Sequence, residues 1–221
     1  MMKKLLLTAA VVSLAAGATL AQDSDFKATA GNKTLEANVN LFGKGDSTIS
    51  LMNNHLNQIK VRYFMNENTA LRLGFNVGIH TETEPGATSG DKTTNRSFTL
   101  SIMPGIEKHF EGTDRLSPYI GAEVGIALDS RKTTVVEDGK TFATTGTSDG
   151  KRGYFQFGLN ALAGFDFYVA RHLYVGYELG FGVIVKSDSD VTPDGGTAEA
   201  GNTHFELGPN VMNGVRVGFV F

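Results

Sequence analysis

Apolar and polar residues alternate singly along most of this chain. Between Ala70 and Thr81, Leu71, Leu73, Phe75, Val77 and Ile79 take one parity, while Arg72, Gly74, Asn76, Gly78 and His80 take the other. Between Leu173 and Lys186, Val175, Tyr177, Leu179, Phe181, Val183 and Val185 oppose Gly176, Glu178, Gly180, Gly182 and Lys186. Successive side chains of a β-strand point to opposite faces, so a period of two predicts strands with one apolar and one polar face. Eight such stretches occur, over 34–42, 59–65, 70–81, 97–110, 116–129, 153–168, 173–186 and 205–221, the second with a start as early as Thr48. Pro104-Gly105 interrupts the fourth. Proline has no N–H to give a ladder, so a β-bulge is expected there.

The connections alternate in length. Long polar segments follow Phe42 and fill 82–96, 130–152 and 187–203, whereas 66–68, 111–115 and 169–172 are short turns. In an up-and-down antiparallel sheet every long loop then emerges at one end and every short turn at the other, as in barrels of the bacterial outer membrane. The expected fold is all-β: an eight-stranded antiparallel up-and-down transmembrane β-barrel over 34–221, after a flexible periplasmic arm at 22–33.

Alternation alone does not say which face points outward, because a soluble barrel alternates in the opposite sense. The polar face carries most strand glycines, which suit the crowded inside of a narrow barrel. It also carries charges of both signs: Lys60, Arg62, Arg72 and Arg216 with Glu36, Glu107, Glu123, Asp166, Glu178 and Glu206. Inside a barrel these groups can pair, whereas a Lys or Arg facing lipid at mid-depth costs about 2–4 kcal/mol. Aromatic residues of the apolar face gather near the turns, at Tyr63, Phe110, Phe165, Phe167, Phe219 and Phe221, like an interfacial girdle. The apolar face is therefore expected to meet lipid, and Arg62, Arg72, Glu123, Asp166, Glu178, Glu206 and Arg216 to form a charge network in the lumen, as a plug or as a gate.

Composition narrows the rest. A basic start at Lys3-Lys4, a short apolar run and Ala21 before Gln22 read as a signal peptide over 1–21, whose removal takes the formal charge from −3 to −5. Mild acidity gives no support to nucleic-acid binding. Cysteine is absent, which excludes disulfides, thiolate metal sites and a cysteine nucleophile. The five histidines, His55, His80, His109, His172 and His204, show no metal-ligand spacing and read as turn and rim residues. The acidic stretch 188–196 fits a calcium loop in neither frame: counted from Asp190 the twelfth position is Gly201, and counted from Asp188 the sixth is Pro193. No metal, cofactor or catalytic residue is expected.

Met103-Pro104-Gly105-Ile106-Glu107, Ser117-Pro118-Tyr119-Ile120-Gly121-Ala122-Glu123 and the final strand ending on Phe221 resemble the small eight-stranded outer-membrane barrels, the class of OmpX and the OmpA transmembrane domain, in their Bacteroidetes-like form. The resemblance implies a place in the outer membrane of a Gram-negative bacterium. It implies Phe219 and Phe221 as part of the signal read by the barrel assembly machinery. It is poor for activity, since the class holds adhesive, structural, pore-forming and lipid-modifying members. The Ser-His arrangement of its lipid A deacylases is matched at neither His80 nor His204. The expectation is a monomeric, non-enzymatic envelope protein, structural or meeting an extracellular partner through its long loops, with outer-membrane lipid around it. A narrow solute or ion pore is the alternative, and a lipid-modifying enzyme the third reading.

Overall fold

A computed structural model of the protein describes residues 26–39, 59–211 and 215–221. The expected signal peptide and the break after Phe42 lie outside the described residues. In chain order the strands are β1 (Lys33–Val39), β2 (Ile59–Asn66), β3 (Thr69–Pro85), β4 (Lys92–His109), β5 (Leu116–Glu137), β6 (Lys140–Thr145), β7 (Thr147–Ser148), β8 (Lys151–Arg152), β9 (Tyr154–Ala170), β10 (Leu173–Asp188), β11 (Thr203–Val211) and β12 (Val215–Val220). All pairings are antiparallel, and β1, β2, β3, β4, β5, β9, β10 and β12 close into a ring of eight. Closure comes from β12, which pairs β10 on one side and β1 on the other, so that Leu35 faces Phe219 and Ala37 faces Val217. A sheet in lipid needs that closure, because an open edge leaves backbone groups without partners.

The expected last strand is divided between β11 and β12, both on β10. Val211 faces Leu179 and Arg216 faces Gly176, so five positions in the sequence correspond to three on β10. The register shifts by an even number, which keeps the same parity pointing inward on both pieces.

The strands run further than the alternation indicates. Residues expected as the polar loop 82–96 are mostly strand, since β3 and β4 stay in one register from Thr69 opposite Lys108 to Pro85 opposite Lys92. Much of the expected loop 130–152 is strand too: β5 continues to Glu137 and turns back through Asp138-Gly139 into β6. At about 3.4 Å per residue β5 spans roughly 75 Å, while a tilted crossing needs only about 9–11 residues. The sheet therefore projects well beyond the apolar band at the long-loop end. The expected bulge at Pro104-Gly105 is absent: Ile102 faces Ile126 and Gly105 faces Glu123, one register on both sides of the proline. Irregularities lie instead beside short turns, between Phe64 and Asn66 and between Leu173 and Tyr174.

The ring is apolar outside and polar inside. Leu71, Leu73, Phe75, Val77, Ile120, Leu159 and Phe181 are exposed, whereas Glu36, Arg62, Arg72, Glu107, Asp166 and Glu178 are buried. This sense is the reverse of a water-soluble barrel and suits a lipid surround.

Candidate functional site

Inward parity brings charged residues from most strands to one level of the lumen, toward the short-turn end. Glu36 comes from β1, Lys60 and Arg62 from β2, Arg72 from β3, Glu107 from β4, Glu123 from β5, Asp166 from β9, Glu178 from β10 and Arg216 from β12. Each is at most 5% exposed. Inward glycines make room for them. A Cβ on Gly176 would meet the Arg216 guanidinium and the Asp166 carboxylate at 2.8 Å, and one on Gly105 would meet the Arg72 side chain at 2.9 Å.

Three guanidinium groups hold the cluster together. Arg62 donates to Glu107 at 2.8 Å and reaches Asp166 at 2.8 Å and Glu36. Arg216 donates to Glu36 and to Asp166, both at 2.8 Å. Arg72 donates to Glu107 at 2.8 Å and forks onto Glu178 at 2.7 and 2.9 Å, with Glu123 at 3.0 Å. Lys60 lies 3.3 Å from Glu178, and the Tyr119 hydroxyl donates to the same carboxylate at 2.5 Å. Most of the carboxylates are shared: Glu36 and Asp166 bridge Arg62 to Arg216, and Glu107 bridges Arg62 to Arg72. In a buried cluster of this kind the cost of desolvation is offset by such mutual pairing.

Below the charges lies a layer of rings. Phe64, His109, Tyr119, Tyr168 and Tyr174 are all buried, and the Arg62 guanidinium sits 5.1 Å from the centre of Tyr174 and 5.8 Å from those of Phe64 and Tyr119. His109 is 2.9 Å from the Ser117 hydroxyl and 3.1 Å from Glu107.

The part of the expected arm that is described, 26–32, lies across the same mouth. Ala28 is buried and its amide donates to the Tyr168 hydroxyl at 3.2 Å, Gly31 donates to the Phe64 carbonyl at 2.8 Å, and Arg115 stacks 4.1 Å from the centre of the Phe26 ring. This segment is tied down because its backbone completes hydrogen bonds that the strand ends leave open.

Of the seven residues expected in the network, Arg62, Arg72, Glu123, Asp166, Glu178 and Arg216 meet. Glu206 does not: it is exposed on β11, opposite Ile184 and nearer the long-loop end. His109, expected at a turn or rim, is 3% exposed inside the ring. Its signal was present, since it shares parity with Glu107 on the same strand. Tyr168, Tyr174 and Ser117 are buried with the same inward parity, which alone does not distinguish them from other inward polar residues. Phe219 and Phe221 take the outward parity at the short-turn end, Phe221 exposed.

A second, smaller charge group sits at the opposite rim, above the apolar band. Asp188 accepts from Lys186 at 3.0 Å and from the His204 ring at 3.1 Å, which ties β10 to β11. The hydrogen bonds from Lys186 and then from His204 hold its carboxyl below the usual range. Nearby, Arg152 binds the Glu199 carboxylate and donates to the Ala200 carbonyl at 3.0 Å, fixing segment 189–202 against β8.

Residues 46–221 match the model of the OmpA-OmpF-like porin family. No curated protein matches the chain.

Proposed function

We propose the following role for a chain that belongs to the OmpA-OmpF-like porin family and is an outer-membrane β-barrel protein: a closed, monomeric, non-enzymatic barrel that presents a structured platform on the outside of the cell. The family places it in the bacterial outer membrane. Export through a cleaved signal peptide, insertion by the assembly machinery and recognition of Phe219 and Phe221 are parts of this reading. The observation that carries it is the seal. Arg62, Arg72 and Arg216 are at most 2% exposed among their carboxylates, and the rings of Phe64, Tyr168 and Tyr174 stand directly beneath. An ion crossing this level has to displace paired charges and then a packed aromatic layer. At the other end, β3 to β6 rise as a continuous sheet, a rigid surface suited to a macromolecular partner or to neighbours in the envelope.

One observation favours a pore as second reading. Arg216 Nη1 lies 3.7 Å from Glu178 in addition to its closer carboxylates, so a small side-chain rotation exchanges partners without stranding a charge. Planar-bilayer recording of the refolded protein separates the two. The plug reading expects folded protein and no conductance; steady single-channel steps that change in Arg216→Ala would refute it in favour of the gate.

A further inference from the structure

The outer wall carries a like-charge pair that has no acidic partner among the described residues. Arg96 on β4 and Lys132 on β5 are directly opposite each other across the ladder, both exposed, both of outward parity. Like charges at such a position destabilise a sheet. Their other cross-strand neighbours are Thr81 and Thr145, which bring no charge, and among the described residues neither cation has an acidic partner. The acids of the extension, Glu82, Glu84 and Asp129, take the inward parity.

The height of the pair is as informative as its charge. Arg96 stands two residues beyond Phe98, the last outward apolar residue of β4, and Lys132 stands four beyond Leu128, after which the outward positions of β5 turn polar at Ser130. Cations just outside an apolar band lie at the level of lipid headgroups. Eight residues nearer the short-turn end on these same strands, the wall has an apolar depression of about 480 Å³, lined by Pro104, Ala122, Val124, Leu159 and Ala161 among others. Small outward side chains make it. The outward apolar residues of β4 run from Phe98 to Phe110 just past the strand's end, which sets Pro104 at the middle of the band. One leaflet thus separates the cations from the depression.

We propose that Arg96 and Lys132 together seat the phosphate of an anionic lipid headgroup, one of whose acyl chains runs down the wall toward the depression at Pro104. The phosphate replaces the missing counter-charge, and the chain fills a recess that straight-sided strands would leave poorly packed. This assignment rests on the membrane-spanning reading above.

The test is a lipid titration of the refolded full chain in detergent, read by native mass spectrometry, with dioleoyl phosphatidic acid, dioleoyl phosphatidylcholine and inorganic phosphate as separate probes. Two cations near a lipid surface contribute enough that Arg96→Gln/Lys132→Gln should weaken phosphatidic acid binding roughly thirtyfold and leave phosphatidylcholine binding unchanged. The charge-conserving Lys132→Arg should retain the selectivity. Equal phosphatidic acid affinity in wild type and double variant overturns the site. Inorganic phosphate binding as tightly as the lipid overturns the lipid assignment. Insertion into liposomes, followed by heat-modifiable electrophoretic mobility, is scored in parallel: failure to insert overturns the membrane reading together with this one, whereas insertion without selectivity overturns the lipid seat alone.

Discussion

Gly218 is a glycine because Tyr174 crosses it. A Cβ at that position would lie 2.0 Å from the ring Cζ, and Tyr174 is fully buried, so the ring has nowhere to retreat. Gly218→Ala is expected to cost about 1–3 kcal/mol, the usual range for overpacking, read as a lower urea midpoint for loss of the heat-modifiable folded form. Gly208→Ala, where a Cβ meets nothing within 4 Å, is the control and should leave the midpoint almost unmoved. The two positions show what the sequence displays and what it conceals. Both glycines have inward parity, which alternation assigns without a structure, yet only one lies at the level of the rings. Depth is the missing coordinate, for a period of two says which wall a side chain leaves and not how far along the barrel it stands. Glu206 shares the inward parity of the lumen charges and differs from them in height, and His109 shares the parity of Glu107 although nothing in the spacing of the histidines marks it as a lumen residue.

For whole strands the limits of the alternation have a physical origin. Inside lipid the two faces meet different media, and the sequence alternates accordingly. Past Ile79 and Leu128 neither face meets hydrocarbon, so Thr81-Glu82-Thr83-Glu84 and Ser130 to Thr134 lose the contrast while remaining strand. Threonine favours the extended backbone, and Asp138 and Gly139, with φ of 50° and 73°, form the tight turn that returns β5 into β6. Those were the available signs that the polar stretches continue the sheet. At the same rim Asp188 joins β10 to β11, and a titration tests it. Its carboxyl is held below the ordinary value, so it stays ionised in the fold where an unfolded chain would begin to bind a proton. The tie is at full strength above the ordinary aspartate value of about 4, and it is lost as pH falls through the lowered value. Amide exchange of 186–188 and 203–205 should therefore be slow and flat with pH, after correction for intrinsic rates, down to that range and rise below it. Asp188→Asn should remove the step. A step that persists in Asp188→Asn would assign it to another group.

The molecule as a whole is organised by one inversion: charges buried at the axis, and apolar side chains on the outer wall. Val77 is 55% exposed, a heavy cost in water for a residue repeated in kind around the ring, and an ordinary condition in lipid. The closed ring, the family match and the outward apolar band lead to the same medium by separate routes. The chain has no native cysteine, so single cysteines report position without background. In the protein folded into liposomes, Val77→Cys and Leu159→Cys should resist a water-soluble maleimide and react with a lipid-soluble one. Thr83→Cys and Thr141→Cys, on the same outward parity but beyond the band, should react with the water-soluble reagent. Because all four positions share one face, the contrast depends only on height. Rapid aqueous labelling of Val77→Cys in folded, inserted protein would place that wall in water and remove the ground for the inversion; protection of Thr83→Cys would mean that the apolar band extends past Ile79 and that β3 does not emerge where its side chains change character.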